Sequence, residues 1–194
     1  MPDLVTRTAL FALRMLPGML LAAVLYGWAL PFRRRHLRRK GLESSPFREG
    51  GMLLFWMFCG ALAALTLFPR WLNWWELPQG MNGRQFFQPG TMNLRFFRSF
   101  YDPYIVAANV LLFVPVGCGA GLFWRTYSWL KALLLGMGLT GGIETWQLCI
   151  GRAFDVDDLM LNTIGVLFGF GLWAVWNRLA PRSCEKFQCR RRME

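Results

Sequence analysis

The sequence offers little for familiar acid–base or metal chemistry: one histidine, His36, and 11 acidic residues against 22 lysines and arginines in 194 positions. Because His36 sits in the basic run PFRRRHLRRK, histidine catalysis and zinc ligation have no second group to build on. No Gly-Lys phosphate loop, GxSxG elbow or dinucleotide-binding glycine fingerprint occurs, which removes the common nucleotide-dependent and serine-hydrolase motifs. Cysteines are present but form no pattern. Cys59 and Cys118 fall inside apolar runs, Cys184 and Cys189 in a basic tail, and only Cys149 approaches an oxidising side, so no disulfide framework is implied. The pair in SCEKFQC lacks a second pair or a histidine to complete a zinc site.

What is abundant is apolar surface. The chain is 55% apolar, 16% aromatic and only 17% charged. Five runs approach the ~20 residues that cross a hydrocarbon core of about 30 Å, at about 10–32, 52–68, 104–124, 129–150 and 159–176. The expected fold is therefore all-α, a polytopic integral membrane protein of about five transmembrane helices forming one domain over 1–194. The first run is too long for a secretory signal and ends in a basic block rather than a small-residue cleavage site.

Charge supplies the orientation. The segment after the first run, the link between the third and fourth, and the C-terminal tail hold 15 of the 22 basic residues but only Glu43, Glu49, Glu185 and Glu194, so this face carries the whole formal charge of +11. By the positive-inside rule that face is cytoplasmic, with the N-terminus outside and the basic tail inside. Basic blocks beside membrane helices set topology and contact anionic lipid. Membrane lipids, and not nucleic acid, are the expected partners, and the tail is expected as a lipid-facing anchor.

The long connection, 69–103, would then lie outside. It is rich in aromatics (WLNWWELP, RQFFQPG, NLRFFRSFYDP), which suit either an interfacial belt or a lid over a site that opens sideways to lipid. The other links, RTYS and GRAFDVD, are short and predict that the third and fourth helices, and the fourth and fifth, are antiparallel neighbours.

Into this apolar half fall four carboxylates and an arginine, in IETWQLCIGRAFDVDDLMLNTIG, Ile143 to Gly165. Helical rise places Asn109 roughly 8 Å, Glu144 roughly 9 Å and Asn162 roughly 6 Å below the outer ends of their helices. The faces agree as well. Asp158, Asn162, Gly165 and Gly169 form one stripe, Gly136, Thr140, Glu144 and Gln147 a second, and Asn109, Phe113, Val116 or Gly117, and Gly121 a third. Small residues in these stripes let backbones approach, so the polar groups can face each other rather than lipid.

A carboxylate in hydrocarbon is costly without a partner or a wet pocket, so Glu144 needs Arg152, Asn109 or Gln147 nearby. Two readings stay open: a structural pair joining two helices, or a pocket for a ligand. Asp157 or Asp158 is expected to cap the fifth helix, where a carboxylate meets free N–H groups and the positive end of the dipole. DVDD lacks the glycine and the distal glutamate of a calcium loop, so no metal and no cofactor is expected.

NVLLFVPVG, IETWQ and RAFDVDDLMLNTIGVLFG, in this order, resemble the VanZ-like family of bacterial membrane proteins, with looser likeness at TLFP and NLRFF. The family pattern falls on Asn109, Phe113, Pro115, Gly117, Glu144, Gln147, Arg152, Asp155, Asp157 or Asp158, Asn162, Gly165 and Gly169. The resemblance implies the bacterial cytoplasmic membrane, the cell envelope, and an association with resistance to the glycopeptide teicoplanin. The site expected from depth, facing and resemblance is Asn109, Glu144, Gln147, Arg152, Asp155, Asp157, Asp158 and Asn162. It would bind a lipid-linked envelope component or a lipoglycopeptide. An enzyme acting on a lipid headgroup, with Glu144, Asp157 or Asp158 as general base, and a scaffold for envelope machinery are the alternatives.

Overall fold

The computed structural model describes residues 4–68, 87, 89–97, 101–124 and 126–191. The aromatic stretch WLNWWELP and most of RQFFQPG lie outside the described residues, so the choice between belt and lid falls there too. Five long helices run in order: α1 (Leu4–Arg39), α2 (Pro46–Thr66), α3 (Pro103–Phe123), α4 (Trp129–Cys149) and α5 (Val156–Leu179), followed by a short α6 (Pro181–Glu185). The fold is all-α and polytopic, as expected. Of the described helices, α1, α2, α3 and α5 are long and apolar enough to cross a membrane. The fifth expected span, α4, has 21 residues, but its apolar content is diluted by four glycines, two threonines, Glu144 and Gln147.

Local chemistry sets the helix starts. Ser45 caps α2 by accepting the N–H of Arg48 at 3.1 Å, and Pro46 follows at the first helical position, where its missing N–H costs nothing. Asp102 and Pro103 repeat the device at α3, the aspartate accepting the N–H of Tyr104 at 2.9 Å. Ser128 caps α4.

Packing departs from the order implied by the loops. The principal neighbour of α3 is α5 rather than α4, and α5 also packs on α4, so it lies between them. Glycine explains the choice. A Cβ on Gly117 would meet the carbonyl oxygen of Val166, one on Gly165 that of Val110, and one on Gly169 that of Val114. The series Val110–Gly165, Val114–Gly169, Gly117–Phe170 and Gly121–Trp173 rises together along both helices, so α3 and α5 run parallel with their backbones in contact, a geometry open only to the smallest residues. Against α4, Gly136 faces Thr163 and Glu144 meets Asp155, so that pair is antiparallel. The hairpin of α1 and α2 uses the same device, with Gly18 and Gly60 against each other's carbonyl.

At the basic end, α1 and α2 are joined by charge. Tyr26 and Arg33 both donate to the Glu49 carboxylate, and the Arg33 guanidinium lies 5.2 Å from the centre of the Tyr26 ring. Glu49 is buried, so its charge is stabilised by this pair and by the phenol rather than by water.

Tyr127, in the link before α4, is buried against Phe170 and Trp173, with ring centres 5.4 and 5.8 Å away. Its hydroxyl finds no hydrogen-bond partner among the described residues. Tyr127→Phe is therefore expected to raise stability by about 1 kcal/mol, read as a higher melting temperature in detergent. Burial pushes the phenol from 10.0 up to about 12. The neutral form is the one the fold accommodates, so the wild type loses stability as pH rises from about 10 towards 12, and the Phe variant lacks that loss.

Candidate functional site

The polar groups meet where α3, α4 and α5 approach a two-residue strand, β2 (Met92–Asn93), which pairs in parallel with β3 (Phe154–Asp155). Met92 faces Phe154 and Asn93 faces Asp155 in register. The N–H of Phe154 donates to the Thr91 carbonyl at 2.8 Å and that of Gly90 to the Leu148 carbonyl at 2.7 Å. A segment remote in sequence is thereby strapped onto the start of α5.

Each carboxylate accepts from a different donor. Glu144, 1% exposed, accepts the N–H of Asp155 at 2.9 Å, which ties the end of α4 to the start of α5. Asp155 accepts the N–H of Asp157 at 3.0 Å through one oxygen and the Asn93 side-chain amide at 2.9 Å through the other. Asp157, fully buried, accepts the N–H of Phe97 at 2.7 Å, and Phe97 adopts a left-handed φ of 66° there. Asp158 accepts from the Asn109 amide of α3.

The capping assignment is thus corrected. Because α5 begins at Val156, the cap is Asp155, and neither Asp157 nor Asp158 holds that position. The latter two fall in the first turn, where they still oppose the positive end of the helix dipole. Their side chains reach outward to the strap and to α3.

Arg152 and Gln147 work at another place, the C-terminus of α2. Arg152 donates to the carbonyls of Leu65 and Thr66 at 3.3 and 3.1 Å, Gln147 to that of Thr66 at 3.3 Å, and the neighbouring Trp146 indole to that of Leu67 at 2.7 Å. The last carbonyls of a helix lack intrahelical partners and carry the negative end of its dipole, so a guanidinium is well matched there. The eighth expected residue, Asn162, is buried on α5, and its side-chain oxygen meets no donor among the described residues. Among those residues, no group of three or more His, Cys, Asp or Glu is placed to hold a metal ion.

In front of Asp155 opens a cavity of about 800 Å³, lined by Thr91 to Arg95, Tyr101, Asp102, Ile105, Ala153 and Asp155. Of the eight residues expected from sequence, only Asp155 lines it; Asp157 holds the same segment through Phe97, Glu144 holds the backbone of Asp155, and Gln147 and Arg152 act at the end of α2. Asn93, Arg95, Tyr101 and Asp102 were not singled out beforehand, although NLRFF, which holds two of them, had shown a loose likeness to the family.

The sequence model of the VanZ/LLP1 family matches residues 55–177, more than half the chain. The chain belongs to the VanZ/LLP1 family. No curated protein and no solved structure matches it. The match runs from within α2 to near the end of α5, so the VanZ/LLP1 region includes the strap, the carboxylates and the capped end of α2. It excludes α1 and the basic tail.

Proposed function

We propose that this VanZ/LLP1 protein binds a lipid-linked cell-envelope component, or a lipoglycopeptide, at the outer leaflet of a bacterial cytoplasmic membrane, and thereby contributes to glycopeptide (teicoplanin) resistance. The observation that carries the reading is the cavity beside Asp155. It opens at the end where α3 and α5 begin and is walled by a segment that two carboxylate contacts, from Asn93 to Asp155 and from Phe97 to Asp157, and a strand pair hold in place. Among the described lining residues Arg95 is the one cation, and the two carboxylates there, Asp102 and Asp155, already accept N–H groups of the chain, so Arg95 is the group that would meet a phosphate or carboxylate of the guest. Apolar side chains of the same lining, Met92, Leu94 and Ile105, suit the lipid part of such a ligand.

Native mass spectrometry of protein purified in gentle detergent tests this reading. Wild type is expected to retain a defined lipid-linked or anionic amphiphile, and Arg95→Gln to retain roughly tenfold less at an unchanged melting temperature. Equal retention by the two proteins overturns the assignment.

A structural role has support of its own: Glu144, Gln147 and Arg152 all join one element to another. The two roles are compatible, since these three lie outside the lining and the lining residues meet the ligand. A general-base role for Glu144, Asp157 or Asp158 draws no support, because none of the three lines the cavity.

A further inference from the structure

Two basic blocks some 150 residues apart in the sequence come together at the opposite end of the fold. The first runs through the last turns of α1 and just past it as Arg33, Arg34, Arg35, Arg38, Arg39 and Lys40, the second is Arg190 and Arg191. Strand β4 (Arg190–Arg191) pairs antiparallel with β1 (Leu42–Glu43), setting Leu42 opposite Arg191 and Glu43 opposite Arg190. The tail is firmly seated. The Phe187 ring packs tilted against Phe47 and edge-on against Phe123, with centres 4.8 and 6.0 Å apart, the Gln188 amide donates to the Leu122 carbonyl at 2.6 Å, and the Ser45 hydroxyl donates to the Lys186 carbonyl at 3.2 Å.

Beside this junction lies a cavity of about 280 Å³, whose polar lining is Arg34, Arg38, Glu43 and Ser44. Two guanidiniums against one carboxylate leave it positive, and the strand pair sets two further arginine positions at its edge. The volume suits a phosphate headgroup and not acyl chains. Within two turns of Arg34, Trp28 and Phe32 of α1 are exposed, 70% and 57%, as side chains at a lipid boundary are.

We propose that this junction binds the phosphate of an anionic phospholipid of the cytoplasmic leaflet, with the headgroup between Arg34 and Arg38 and the acyl chains along the outer face of α1. The docked tail borders the site through the pairing of Arg190 and Arg191 with Glu43 and Leu42, so it is a fixed neighbour of the headgroup rather than a loose anchor. A nucleic acid would have no use for the adjoining apolar face of α1. The inference is independent of the binding function proposed for the other end.

The full-length protein in zwitterionic detergent, titrated with phosphatidylglycerol and followed by native mass spectrometry, tests it. The pairs Arg34→Gln/Arg38→Gln and Arg190→Gln/Arg191→Gln are each expected to weaken lipid binding roughly tenfold. Arg178→Gln/Arg182→Gln removes the same charge at positions that do not line the cavity, and is expected to change it less than about twofold. Equal losses in all three would reduce the effect to a diffuse positive field and overturn the site. So would no loss in the first two. Displacement of the lipid by millimolar inorganic phosphate, or by a short RNA, would likewise overturn the lipid assignment in favour of a free anion or a nucleic acid. Persistence of the lipid against both is the expected result.

Discussion

Gly117→Val is expected to prevent recovery of a folded monomer, with a loss of about 3 kcal/mol or more, read by size-exclusion profile and thermal unfolding in detergent. The reason is what the new side chain meets. A Cβ at 117 falls on the carbonyl oxygen and carbon of Val166 and on the amide nitrogen of Phe170, all backbone atoms of α5. Backbone cannot rotate aside as a side chain would, so the two helices must separate, and with them the contacts that Gly165 and Gly169 make in the other direction. A glycine elsewhere supplies the control. Gly138 of α4 has nothing within 4 Å of its would-be Cβ, and Gly138→Ala is expected to be neutral or to gain up to about 1 kcal/mol, since alanine is the better helix former. Similar behaviour of the two variants would show that α3 and α5 do not pack through this face.

The second large effect is expected at Glu144. Glu144→Ala removes the acceptor of the Asp155 N–H and leaves a void among side chains with almost no access to solvent, a combined loss of about 3–5 kcal/mol. Glu144→Gln keeps an oxygen at the same place and is expected to lose about 1 kcal/mol. Melting temperatures of the three proteins check the order. The same variants separate bracing from binding: Glu144→Gln should retain the amphiphile that Arg95→Gln loses. If Glu144→Gln instead releases it while melting as the wild type does, the carboxylate takes part in the site directly.

Much of the α3–α4–α5 half is legible in the sequence, because helical periodicity and small-residue spacing are local properties. The stripe Gly136, Thr140, Glu144 and Gln147 is the buried face of α4, and Phe113, Val116 and Gly117 lie on that of α3. The closeness of Asn109 to Asp158 follows from equal depth on facing stripes. What each polar group does is less legible. A first-turn aspartate has the chemistry of a cap, and only the actual start of α5 at Val156 gives that role to Asp155 and frees Asp157 for Phe97. Arg152 was near enough in sequence to serve Glu144, yet its guanidinium also reaches two carbonyls of α2, some 86 residues away. Nothing local to Arg152 specifies that helix end.

By itself the sequence determined that this is a polytopic helical membrane protein of the VanZ/LLP1 kind, because apolar run length and the order of motifs do not depend on how the chain folds back. It also determined which faces could be buried, since a side chain's face follows from its helical phase. The tertiary structure decided the partners: α5 between α3 and α4, the strap of 92–97 on the aspartates, the cavity that Arg95 shares with Asp155, and the basic tail beside the arginines of α1. These are contacts between segments tens to more than a hundred residues apart. Their energies come from shape and unsatisfied backbone groups that exist only once the helices have assembled.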